Sequence, residues 1–236
     1  MDNLYFTVIE YLPFILMVII SLPIHELAHG FIAYKLGDDT AYYQGRLTLN
    51  PFAHLDLFGT ISMILFGFGW AKPVPVNPMR FKCNMRLGMA LTALAGPVSN
   101  LILALLFMIL SKGAFLLGGE TEIIFFYFLN WLFFIMMQTN LLLAFFNLLP
   151  IPPLDGSRIL NHFLPYRAQA FMDNLERYSS YLILGILLLN RNTSFLSNII
   201  GFVSNIFLWL FDKMTFFMGS AGYVPLNIVM ELAMQG

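Results

Sequence analysis

LPIHELAHGF, residues 22 to 31, decides how the rest of the chain is read. The apolar run YLPFILMVIIS (residues 11–21) precedes it and IAY (residues 32–34) follows, so two histidines and a glutamate fall inside what should be a membrane helix. Ionisable side chains within a span are rare and mark function by default. His25, Glu26 and His29 form the pattern H-E-x-x-H. On a helix, positions i and i+4 share a face, so both imidazoles can reach one metal ion.

Two imidazoles and a carboxylate suit zinc, with a fourth position left open for chemistry. Glu26 projects close to the same face and is placed to take a proton from an attacking water instead of binding the metal. The alternative is a polar cluster that only packs against neighbouring helices. A third ligand discriminates between the two.

Composition supports the membrane setting. Of 236 residues, 59% are hydrophobic and 11% charged, against about 25% charged in soluble domains. Long apolar segments lie at about 4–34, 87–117, 123–150 and 192–211, with a shorter run at 178–190. Runs of about 20 residues can cross a bilayer. The expectation is an all-α multi-pass membrane protein with four to six transmembrane helices. The N-terminus MDNLYFTVIEY lacks a basic n-region, so the first run reads as a retained span. The net charge of −1 argues against a nucleic-acid partner, and the single cysteine, Cys83, excludes an internal disulfide framework. Nine of the twelve Lys and Arg residues, counting Lys35, Arg46, Lys72, Arg80, Lys82, Arg86, Arg158, Arg167 and Arg177, fall on one side; Lys112 is the lone basic residue assigned to the connection after the second helix. Basic residues concentrate in the cytosol, which puts the N-terminus outside and the HExxH end nearer the cytosolic face.

The connection 36–86 is not an ordinary loop. LFGTISMILFGFGW is broken by glycines, while GRLTLN and KPVPVNP alternate like short edge strands. Irregular backbone at membrane depth must be buried in protein or line a wet cavity. The expectation is a small re-entrant, β-rich segment after the first helix.

The third ligand is sought in NLLPIPPLDG, residues 147–156. Three prolines in four positions cannot continue a helix, so the third long helix unwinds there and restarts at Asp155. Asp155 is then either a helix cap or the missing carboxylate ligand.

HELAHG, followed by ALAGPVSN and NLLPIPPLDG, resembles the site-2 protease family of intramembrane zinc metalloproteases; GRLTLNPFAHLD and FGWAKPVPVNP are similar to connecting segments of its compact bacterial members. The resemblance covers about residues 15–165 and leaves no room for the PDZ or CBS modules of other branches. It implies one Zn²⁺ per chain held by His25, His29 and Asp155, with Glu26 as catalytic base. It also implies a protease core over residues 1–165 and additional C-terminal membrane helices over 166–236. Substrates would be transmembrane proteins in the lipid bilayer, and the location a bacterial cell membrane. Gly96 to Asn100 fits the family's GxxxN pattern.

Asn100 and Asn147 each offer an amide to a substrate carbonyl or oxyanion, or a purely structural hydrogen bond. His54 is read as tying down the connection and Asp56 as closing a turn; His162 is placed on the surface or behind the ligands. A helical substrate must unwind to be cut, and the KPVPVNP segment, through Lys72, Val74 and Val76, is read as an edge that receives it by main-chain pairing. Two rival readings remain: a membrane zinc protease trimming juxtamembrane or misfolded segments, and a non-catalytic chaperone or transporter with a vestigial metal site.

Overall fold

A computed structural model describes residues 9, 11–59, 71–121, 123–178, 195–215, 224, 228 and 229. The described residues are mostly helical: α1 (Tyr11–Lys35), α2 (Thr40–Tyr43), α3 (Met85–Thr121), α4 (Ile124–Leu148), α5 (Asp155–Phe163), α6 (Tyr166–Glu176) and α7 (Phe195–Met214). Among them Tyr11–Lys35, Met85–Gly118 and Ile124–Leu148 are long and apolar enough to cross a membrane. The described residues thus hold three candidate spans, where four to six were expected of the whole chain. The 192–211 run appears as α7, and residues 179–190 of the short run lie outside the described residues. Lys112 belongs to α3 itself, not to the connection after it, and is buried.

The chain divides into two compact units. The first comprises Met1–Met17, Leu101–Leu142 and Ile199–Gly236. Its core gathers Trp131, Leu132 and Val229, with Leu12, Leu16 and Ile135 packed against them. Between α3 and α4, Asn130 Nδ2 donates to the Ser111 carbonyl (2.9 Å) and Ser111 Oγ donates to the Asn130 carbonyl (3.1 Å). Such small polar pairs hold helices together where lipid offers no hydrophobic drive.

The second unit, Val18–Asn100 with Leu143–Asn198, contains the HExxH segment. Within α1 the backbone passes through a π turn at Met17–Ser21 before α-helical geometry resumes at Leu22. Pro23 explains it: proline has no N–H to return to the carbonyl one turn back, and a π bulge absorbs the break without ending the helix.

The connection after α1 is closed at its base. Gly37 takes a positive φ of 111° that suits glycine. Beyond it Asp38, fully buried, accepts from Thr40 N through Oδ1 and from Asn77 N through Oδ2 (2.6 Å). Lys82 N donates to the Leu36 carbonyl (2.8 Å), and Arg80 pairs with Asp39. Asp56 Oδ1 accepts from Gly59 N and closes a turn, as its position suggested.

The β-rich expectation is corrected among the described residues. They contain no strand, only an isolated antiparallel bridge between Leu55 and Ala71, and residues 72–77 run as extended coil. Residues 60–70 lie outside the described set. Pro73 and Pro75 remove the donors a ladder would need. Two of the remaining amides are committed: Lys72 N to the His54 carbonyl (2.8 Å), beside the Leu55–Ala71 bridge, and Val74 N to Glu26 Oε2 (3.0 Å). Arg46, buried despite its charge, donates from Nη2 to the carbonyls of Lys72 (2.7 Å) and Pro73 (3.3 Å). His54 is also buried, its Nε2 on the Thr48 carbonyl at 2.9 Å, and so anchors the connection.

Candidate active site

His25 and His29 sit one turn apart on α1 with Nε2 atoms 3.0 Å apart. The chain unwinds after α4: Leu149 to Leu154 carry turns, with a cis peptide between Pro152 and Pro153, and α5 begins at Asp155. Leu154 occupies the N-cap position and no side chain caps the helix. The Asp155 carboxylate turns instead to the histidines, with Oδ2 3.4 Å from His25 Nε2 and 3.3 Å from His29 Nε2. One donor atom from each of the three residues lies within 4.8 Å of the others, and each side chain is only 11% exposed.

The donor set fits a cation. His29 Nδ1 lies 2.7 Å from the Thr92 carbonyl. A carbonyl can only accept, so Nδ1 carries the proton and the Nε2 lone pair faces His25 and Asp155. His25 Nδ1 has no hydrogen-bond partner among the described residues. Burial works to raise the Asp155 pKa, but the His25 and His29 imidazoles beside it outweigh that effect and hold the carboxyl below its ordinary range. Asp155 therefore stays ionised near neutrality, as a hard oxygen ligand must.

Three glycines make room for this geometry. A Cβ on Gly96 of α3 would overlap the imidazoles of both His25 and His29. One on Gly156 would overlap the carbonyls of Leu148 and Leu149, which explains the glycine after Asp155. One on Gly30 would come 2.6 Å from Leu47 Cδ2 and 3.1 Å from Val74 Cγ1, so the connection packs directly against the helix at this position and those side chains would have to shift.

Glu26 is held by the connection through the Val74 amide. In the sequence Pro73-Val74-Pro75 that amide is the one donor available. The other candidates separate. Asn100 lies one turn after Gly96 on α3, fully buried, and neither of its amide atoms has a hydrogen-bond partner among the described residues. Asn147 Nδ2 is engaged by the Leu143 carbonyl of its own helix at 3.0 Å. Lys72, Val74 and Val76 form no strand, and the Lys72 and Val74 amides are already committed. His162 lies on α5, beyond Asp155, where it stacks edge-on against Phe163.

Sequence reasoning passed over Thr92, Asp38 and the tethering role of Arg46. Only GDD immediately after a helix hints at one of them, since aspartate beside glycine favours side-chain-closed turns.

Comparison with known proteins follows the same line. The model described as "Peptidase family M50" matches residues 116–190. Three proteins each named "putative zinc metalloprotease" are similar. YwhC of Bacillus subtilis is 48% identical over 181 residues, covering 75% of this chain and 81% of its own. Rip2 of Mycobacterium tuberculosis is 29% identical over 199 residues, 82% of this chain and 71% of its own. MJ0611 of Methanocaldococcus jannaschii is 32% identical over 139 residues, 58% of this chain and 62% of its own. No solved structure matches the chain significantly. With an apolar helix that carries HExxH and a relative this close over most of both chains, the protein belongs to peptidase family M50, the site-2 protease family of zinc metalloproteases.

Proposed function

We infer that this protein is an intramembrane endopeptidase cutting membrane-anchored proteins in or near their transmembrane segments. The convergence of His25, His29 and Asp155 within 4.8 Å, two of them from an apolar span, carries the reading. These three residues would hold one zinc ion. Zinc bound there supplies Lewis acidity to the scissile carbonyl and to the attacking water.

The protein's own groups do the rest. Thr92 fixes the His29 tautomer. The Val74 amide keeps Glu26 from swinging away, and Glu26 takes the proton from water and delivers it to the leaving amine. Asn100, with its amide uncommitted among the described residues, is favoured over Asn147 for the developing oxyanion. Burial of the site excludes bulk water, which strengthens each of these interactions. The extended residues 72–76 border the site, and any substrate pairing there must use groups other than the Lys72 and Val74 amides.

The protease core is taken as residues 1–165, which contain every residue assigned to metal binding and catalysis, with 166–236 accessory to it. The distribution of basic residues supports a site towards the cytosol, and the resemblance to compact bacterial members supports a bacterial cell membrane.

Two experiments test this reading. Cleavage products of a membrane-anchored reporter, mapped by mass spectrometry, are expected to end within the span or at its border. Termini confined to the soluble flank would favour the juxtamembrane-trimming alternative. Val74→Pro, which deletes the amide on Glu26, should lower kcat by roughly 10–100-fold, the usual effect of losing a supporting hydrogen bond around a metal site, with zinc content unchanged. Val74→Ala, which keeps the amide, should stay near wild type; equal loss in both variants would remove the positioning role.

A further inference from the structure

A cavity of about 310 Å³ opens where α3 begins, and none of the residues assigned to metal binding or catalysis lines it. Arg86 from the first turn of α3 and Arg158 from α5 line it, together with Asn161 and His162 one turn further along α5. Among the described residues neither arginine has a carboxylate within ion-pairing distance or a side-chain hydrogen bond. His162 Nδ1 and Asn161 Oδ1 are likewise buried without partners among them.

The walls are set in place. Gln169 Nε2 donates to the carbonyls of Asn161 and Leu164, both at 2.8 Å, which ties α6 to the end of α5. Asn84 Oδ1 accepts from the amides of Arg86 (2.9 Å) and Leu87 (3.3 Å), so the start of α3 is already capped. What the cavity offers a ligand is side-chain charge, not free helix amides.

We propose that this cavity is a binding site for the phosphodiester headgroup of an anionic phospholipid. Two guanidinium groups without partners match a phosphate, which arginine grips through paired donors. Glu176 also lines the cavity and offsets one of the two charges, which suits a monoanionic diester better than a polyphosphate. Met85 and Met89 give the site an apolar wall at the first turns of a membrane-spanning helix, where the glycerol and upper acyl carbons of a lipid lie. Basic pockets at the ends of spanning helices recognise such headgroups. The site is independent of the catalytic reading, because neither the zinc ligands nor Glu26 line it.

The test uses the purified full-length chain, delipidated in detergent and titrated with phosphatidylglycerol or phosphatidylcholine under native mass spectrometry. Wild type should form a saturable one-to-one adduct with phosphatidylglycerol in preference to phosphatidylcholine. Each arginine near an anionic lipid surface contributes roughly fivefold, so R86Q/R158Q should weaken the adduct ~30-fold. R167Q/R177Q removes the same charge elsewhere and should leave it unchanged. Should the first pair fail to fold, R158Q alone should give about a fivefold loss. Equal weakening by both pairs would reduce the effect to net charge and overturn the site. Glycerol 1-phosphate serves as the free-phosphate arm: cavity-dependent thermal stabilisation by it, with no lipid adduct, would overturn the lipid assignment in favour of a soluble phosphate ester.

Discussion

The Glu26→Gln protein is expected to keep its zinc and lose its proteolysis. Glutamine preserves the shape of the side chain and can still accept from the Val74 amide through its carbonyl oxygen, so the local fold should survive. What it cannot do is take a proton from water at neutral pH. General-base catalysis typically contributes 10²–10⁴-fold, so cleavage of a reconstituted membrane-anchored substrate should fall by about 10³-fold. Zinc measured by atomic emission should stay at one per chain. Substantial turnover by a contaminant-free preparation would remove Glu26 from the base role. In cells, the same variant should accumulate uncut membrane fragments, and proteomic comparison with wild type would identify the substrates directly.

Asp155→Ala should fail in the opposite order, losing metal first. Removing the carboxylate leaves two imidazoles whose nitrogens already face each other at 3.0 Å. Replacing groups that merely support a metal ligand costs 10–100-fold in affinity. Deleting a ligand should exceed that, with zinc affinity down by more than about 100-fold and activity lost with it. Asp155→Asn separates charge from shape: it should bind zinc more weakly than wild type even if the fold is unchanged. Undiminished zinc stoichiometry in Asp155→Ala after dialysis against a chelator would sink the three-ligand assignment.

The two metal-site segments are legible in the sequence because each pattern is local. HExxH states its own geometry once a helix is assumed, and three prolines before Asp155 announce where the chain must leave the helix. The connection after α1 is harder to read. Alternating residues around KPVPVNP look like a strand, yet the partners of those residues lie far off in sequence, at Glu26, Arg46 and His54. A period-two pattern records side-chain alternation only; it does not say whether another backbone is present to pair with. Asn100 and Asn147 are likewise indistinguishable as residue types. They differ because Asn147 bonds back into its own helix, while Asn100 meets no partner among the described residues.

The π turn at Met17–Ser21 has a consequence for how the first helix presents its side chains. A π bulge amounts to one extra residue in the α register, and one residue is about 100° of rotation. A helical wheel drawn straight through residues 17–21 therefore loses its register there. Residues upstream of the bulge can thus be selected for the surface they meet without dictating which way the imidazoles aim.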